Sequence, residues 1–185
     1  MKYNKYINIL FIFLSLKVYC SGSEITNNKT MITTYQEHVD CLKNAIQSAQ
    51  EEIIIISPFL SYYRLNEVMD LLLEAKDRGV NITIVTDRNL DRDKNTGNLK
   101  DISQKARNIL EEKEIFLLEV NRLHSKNILV DSKFFSCGSC NWLSFSSLMQ
   151  YQNMESTMIS FDSEVTSEMI GKFKDSLEIK KQDSV

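Results

Sequence analysis

His124 and Lys126, followed by Asp131 and then by Gly138, Ser139 and Asn141, form two motifs, H-x-K-x4-D and G-S-x-N, whose residue types suit one chemistry. An imidazole can attack phosphorus, while an ammonium and the neutral donors of a hydroxyl and an amide stabilise the charge that develops on the non-bridging phosphoryl oxygens. Such a set supplies its own electrophilic donors. No cofactor is expected, and no metal, because the sequence has no clustered carboxylates at metal-ligand spacing. A lone His-x-Lys would read as ordinary polar residues at a strand edge. The second motif, at a matched distance, weighs against that reading.

The elements that must position these groups are two short buried strands. Ile128, Leu129 and Val130 suit the first and Phe134 and Phe135 the second, with Asp131-Ser132-Lys133 as the turn between them. Side chains alternate along a strand, so His124 and Lys126 should point the same way, as should Ser139 and Asn141 if the chain stays extended there. Trp142, Leu143 and Phe145 then read as packing residues.

These motifs resemble the signature of the phospholipase D superfamily, and the chain is most similar to its small single-motif members, the bacterial endonucleases and the mitochondrial cardiolipin hydrolase type. The resemblance runs from about Tyr35 to Phe161 and includes Ile-Ile-Ile-Ile-Ser-Pro-Phe at 53 to 59 and Asn153-Met154-Glu155. It implies that His124 is a nucleophile forming a phosphohistidine, that Lys126, Ser139 and Asn141 bind phosphate, and that Asp131 is mainly structural. It also implies that Glu155 is the carboxylate that orients the histidine ring, a role with a physical basis in fixing the tautomer.

Around the hairpin, periodicity predicts an α/β fold with a mixed, largely buried β-sheet flanked by helices, and the resemblance implies that this is the phospholipase D-like arrangement. Thr34-x-x-Glu37 is a capping box opening a helix whose apolar stripe is Tyr35, Val39, Leu42, Ile46 and Ala49. His38, the only other histidine, falls off that stripe and reads as solvated. A strand at Ile53 to Ile56, a helix from about Leu65 to Arg78 stopped by Gly79, and a strand at Asn81 to Thr86 make a βαβ unit. Pro58 and Tyr62-Tyr63 lie where ligands usually enter open α/β sheets. A helix from about Leu99 to Glu112, with Leu99, Ile102, Ala106 and Ile109 on one face, leads to a strand at Ile115 to Val120. A strand at Met154 to Phe161 and a helix carrying Val165, Met169, Phe173 and Leu177 close the chain.

Residues 1 to 20 have a secretory signal pattern: Lys2 and Lys5, an apolar stretch from Ile7 to Leu16, then Ser21, Gly22 and Ser23. The apolar core is too short to span a bilayer alone, so export is the expectation and membrane anchoring the weaker reading. The expected organisation is a signal peptide at 1–20, extending at most to 23, a short tail at 21–33, one catalytic domain at 34–178 and a polar tail at 179–185. Loss of the three leader lysines leaves 19 basic against 25 acidic side chains, a net charge of −6. Proteins that grip nucleic acid mainly through phosphates are usually basic, so any cationic groove here must be local. Arg88, Arg92, Lys94 and Lys100 are candidates, with Asp91 and Asp93 set against them. Without Cys20 three cysteines remain, which argues against a disulfide framework; Cys41, Cys137 and Cys140 read as small buried residues.

The function expected is metal-independent phosphodiester hydrolysis, with DNA or RNA as favoured substrate and phosphatidylcholine or cardiolipin as the alternative. A covalent histidine route needs one group to attack and a second, protonated, for the leaving oxygen, and this chain has a single H-x-K motif. A homodimer sharing one active site answers that need, as the family resemblance also implies.

Overall fold

Four consecutive isoleucines, Ile53 to Ile56, must send side chains to both faces of any strand they form, so that strand requires cover on both sides. In the computed structural model, which describes residues 29–144 and 154–182, this run is β2 (Glu52–Ile56), the inner strand of a seven-stranded sheet. The other strands are β1 (Lys29–Ile32), β3 (Asn81–Thr86), β4 (Phe116–Glu119), β5 (Asn127–Val130), β6 (Phe134–Gly138) and β7 (Thr157–Ser160), in the spatial order β1-β7-β6-β5-β2-β3-β4. The sheet is mixed: β2, β3 and β4 are parallel, and β5, β6, β7 and β1 continue antiparallel from β2.

Ile53 and Ile55 face one layer with Ile82, Ile84, Ile128 and Ile159, and meet Leu42, Ile46, Leu65, Leu72 and Leu110. These come from helices α1 (Tyr35–Ser48), α2 (Tyr62–Asn66), α3 (Met69–Asp77) and α4 (Asp101–Glu112). Ile54 and Ile56 face the other layer with Val85, Leu129 and Phe135, where α5 (Ser163–Gln182) brings Ile170 and Leu177, with Phe173 packed alongside. The expected α/β class with a mixed, buried sheet is the fold observed. Among the described residues no helix is long and apolar enough to cross a membrane. Residues 1–20, where a signal peptide is expected, and Phe145 and Asn153 lie outside the described residues.

The capping box forms as the sequence predicts: Glu37 N donates to Thr34 Oγ1 at 3.2 Å and Thr34 N to Glu37 Oε2 at 2.8 Å. Several expectations change. The predicted helix from Leu65 to Arg78 divides into α2 and α3, because the chain turns at Glu67–Val68 and so brings both Leu65 and Val68 into the core. Gly79 ends it with φ +87, a conformation that disfavours any Cβ. Lys29–Ile32, within the predicted tail, is a strand pairing with β7, and the last helix reaches Gln182. The buried face of α4 is Ser103, Ala106, Arg107 and Leu110 instead of the Ile102 and Ile109 stripe. Polar anchors rotate that helix: Ser103 Oγ donates to Leu60 O at 2.9 Å, and Arg107 is ion-paired with Asp91 and Glu119.

His38 is also corrected. It is 1% exposed, because its ring bridges two backbone elements instead of meeting water: Nδ1 lies 2.7 Å from Thr34 O and Nε2 3.0 Å from Thr157 Oγ1. A carbonyl only accepts, so Nδ1 carries a proton, while Nε2 pairs with the threonine hydroxyl. The Trp142 ring packs 5.6 Å away, centroid to centroid.

Candidate active site

Pairing register decides which polar groups meet. Asn127 lies opposite Ile56 and Cys137, and Gly138 opposite Thr157. The start of β5, the end of β6, the start of β7 and the carboxyl end of β2 therefore share one end of the sheet. His124 and Lys126 lead into β5, Ser139 and Asn141 follow β6, and Glu155 precedes β7 by two residues, so these five gather at that end.

Each is held locally. Lys126 Nζ donates to the His124 carbonyl at 2.7 Å, folding the ammonium back over the turn. Partial burial lowers the Lys126 pKa from 10.5, and the nearby carboxylate of Glu155 opposes that shift. Ser139 is fixed to the approach to β7 by two bonds, Ser139 N to Ser156 O and Ser156 N to Ser139 Oγ, both 3.0 Å. Gly138 is required there, since a Cβ would lie 2.3 Å from Ser156 O and 2.4 Å from Thr157 Oγ1. The glycine of G-S-x-N thus serves strand-to-strand approach. Asn141 Oδ1 is buried without a hydrogen-bond partner, and Ser144 N donates to the Asn141 carbonyl at 2.9 Å. The next residue, Trp142, is wholly buried packing, as is Leu143, whose N donates to Ser57 Oγ at 3.1 Å.

No described residue hydrogen-bonds the ring of His124, which is exposed. The charge of Glu155 is felt at Lys126 and at Cys140, where burial first and Glu155 second push the thiol pKa up. Cys140 is buried as expected, whereas Cys137 is exposed, because its face of β6 near the sheet end is not covered. Among the described residues no three His, Cys, Asp or Glu side chains are grouped to hold a metal.

Asp131 stands apart from the other motif residues. It is buried at the far end of β5, five residues and roughly 16 Å of strand from Lys126. Its carboxylate accepts from three successive backbone amides, Gln50 N at 2.7 Å, Glu51 N at 2.9 Å and Glu52 N at 2.8 Å. Asp131 and Ser132 both have positive φ, +50° and +53°, and Lys133 N donates to Val130 O at 2.8 Å to close the turn. Short polar side chains tolerate that left-handed region, as tight hairpin turns require.

Sequence reasoning missed Asp87. It is 1% exposed, and its carboxylate accepts Leu123 N at 3.0 Å and Asn89 N at 2.9 Å, which pins the residue before His124. Only its place at the end of an apolar strand could have signalled this. Two of the arginines expected to line a cationic groove are engaged within the protein. Arg88 is paired with Glu119 at 3.1 Å and Arg92 is turned onto its own loop, donating to Gly97 O at 2.6 Å.

The family model described as "Cardiolipin synthase, PLD-like domain" matches residues 42–177, which span every motif residue above. No curated protein matches the chain. Among solved structures it is similar to Nuc from Salmonella typhimurium, described as a phospholipase D family member. The TM-score there is 0.59 at 22% identity, covering 83% of this chain and 93% of that one. NucT from Helicobacter pylori gives 0.59 at 16% identity, covering 81% of this chain and 95% of that one. Phosphatidylserine synthase from Haemophilus influenzae gives 0.67 at 13% identity, covering 81% of this chain but 36% of that larger one. At such identities the structural likeness establishes the fold, and the family match establishes kinship: the chain belongs to the phospholipase D superfamily, in the family of PLD-like domains.

Proposed function

We propose that the protein is a metal-independent phosphodiester hydrolase that works through a phosphohistidine on His124, with nucleic acid as its substrate. The observation that carries this reading is the gathering of His124, Lys126, Ser139, Asn141 and Glu155 at one end of the sheet. His124 attacks phosphorus and the P–O bond to the leaving alcohol breaks. Lys126, Ser139 and the Asn141 amide hold the non-bridging oxygens as their charge grows. Glu155 favours the charged form of Lys126 against the effect of burial, and its further role in this reading is to orient the imidazole. Water then attacks the phosphohistidine and frees His124.

The leaving oxygen needs a proton, and the one other imidazole of the chain does not reach substrate: His38 lies at this end but is 1% exposed, with Nδ1 held at Thr34 O and Nε2 at Thr157 Oγ1. A homodimer that brings His124 of the partner subunit to the same phosphate supplies the acid for the first step and the base for the second. Excess His124→Ala chains, mixed with wild type under subunit exchange, should poison activity; activity indifferent to mixing would contradict a shared site.

Nucleic acid is favoured by the single motif and by chain size, since Nuc and NucT are each covered to more than nine-tenths of their length. One observation favours phospholipid instead. Met31 and Met158 are exposed cross-strand neighbours, and Met154, fully exposed, adjoins Glu155, so apolar surface borders the site. Turnover of DNA, RNA, phosphatidylcholine and cardiolipin, measured side by side in excess chelator, decides between them. Cleavage of DNA or RNA that persists in chelator is the expected result. Activity abolished by EDTA and restored by Mg²⁺ would sink the mechanism.

A further inference from the structure

Arg122, two residues before His124, occupies the left-handed region with φ +57, where a side chain is disfavoured. The surroundings hold it there. On one side Asn89 Nδ2 donates to Asn121 Oδ1 at 2.8 Å; on the other Leu123 N donates to the buried Asp87 carboxylate at 3.0 Å. Backbone strain that is pinned on both sides by a neighbouring loop is the pattern found where a side chain must be presented in one place.

The side chain so presented is unoccupied. Arg78 donates to three carbonyls at the end of α1, Arg88 is paired with Glu119, and Arg92 bonds Gly97 O. Arg107 is buried against Asp91 and Glu119, and Arg64 against Glu67 and Tyr35. Arg122 is exposed and is the one arginine among the described residues with no ion pair or hydrogen bond. In an acidic chain of net charge −3, an unneutralised guanidinium beside the nucleophile is a local exception to the overall charge.

We propose that Arg122 is a substrate-positioning residue that grips a second phosphate next to the scissile one, and so selects a polynucleotide over substrates with one phosphodiester. The inference rests on the phosphodiesterase reading above and names its substrate class. Two chain steps separate the Cα atoms of Arg122 and His124 by at most about 7 Å, which puts neighbouring phosphates of one strand within reach of the two side chains. The guanidinium fork accommodates two phosphate oxygens at once, which an ammonium cannot do with the same geometry.

The test is the ratio of kcat/KM on a single-stranded oligonucleotide to kcat/KM on bis(p-nitrophenyl) phosphate, measured across salt concentration. Arg122→Gly removes the guanidinium while relaxing the left-handed backbone, and Arg122→Asn, a residue that tolerates this region, guards against a glycine-specific effect. In both the ratio should fall by roughly tenfold through KM, and the salt slope for the oligonucleotide should become shallower by about 0.7, the value of one lost single-strand phosphate contact. Arg122→Lys should keep the salt slope and recover part of the ratio. An unchanged ratio and slope in the glycine and asparagine variants would overturn the inference alone. A wild-type protein that hydrolyses the small diester but no oligonucleotide would overturn the nuclease reading itself, whatever Arg122 does.

Discussion

The two ends of the β5–β6 hairpin carry residues of one motif under opposite physical regimes. At the Asp131 end a buried carboxylate is saturated by three backbone amides, tying the entry of β2 to the turn. At the other end the His124 ring and the Arg122 guanidinium are exposed and make no bond to any described residue, although the backbone beneath them is pinned through Asp87. One end has its polar groups satisfied from within and serves stability. The other leaves its imidazole and guanidinium open, as the proposed chemistry requires. H-x-K-x4-D therefore joins an open end to a structural one along a single strand, and the proposed chemistry falls to the open end.

The sharpest way to break this contrast is to truncate each end in turn. His124→Ala should lower kcat by roughly 10⁴-fold, since it removes the nucleophile, while leaving the thermal midpoint within about 2 °C, as for an exposed side chain without partners. Retention of most activity would assign the nucleophile elsewhere. Asp131→Ala should do the reverse, costing about 3 kcal/mol of stability by leaving three amides without their acceptor, with kcat of the folded fraction within a few-fold of wild type. Loss of turnover without loss of stability, read by denaturant titration beside kinetics, would place Asp131 in the chemistry.

Gly138→Ala probes the seam between the two regimes. A Cβ 2.3 Å from Ser156 O must push β7 away, so both stability, by about 2 kcal/mol, and activity should fall together as the Ser139–Ser156 pair opens. Normal activity in that variant would show that the pair does not position Ser139.

The smallest effect expected is in pH dependence. Burial lowers the Lys126 pKa, so the ammonium, and activity with it, is lost as pH rises through a value below the ordinary 10.5. Glu155→Gln removes the opposing charge and should move this alkaline limb further down in pH; an unmoved limb would separate Glu155 from Lys126. By linkage, a depressed lysine pKa opposes folding in full at pH below the folded value, and that penalty fades as pH rises from the folded value and is gone above the unfolded one.

What the sequence could reveal depended on the range of the forces involved. Local rules gave the Thr34–Glu37 capping box, the stop at Gly79, the span of β3 and the hairpin, because each is decided by residues a few positions apart. His38 was misjudged because a helical wheel assigns an off-stripe polar residue to water, while its partner Thr157 is 119 residues away. Ser103 and Arg107 turned α4 off its apolar stripe for the same reason, by bonding to Leu60, Asp91 and Glu119 in other elements. Asp87 and the strained turn at Arg122 left no periodic trace at all. The motif residues that meet at one end of the sheet were legible in the sequence, whereas the groups that hold them there were not.

The account stands most directly on a covalent bond between phosphorus and one ring. Wild-type protein mixed with an oligonucleotide in excess chelator, quenched under conditions that preserve phosphohistidine and mapped by mass spectrometry, should carry a nucleotidyl or phosphoryl group on His124 during turnover. The adduct should disappear as substrate is exhausted. Rapid turnover under the same conditions with His124 unmodified at every time point would contradict the account.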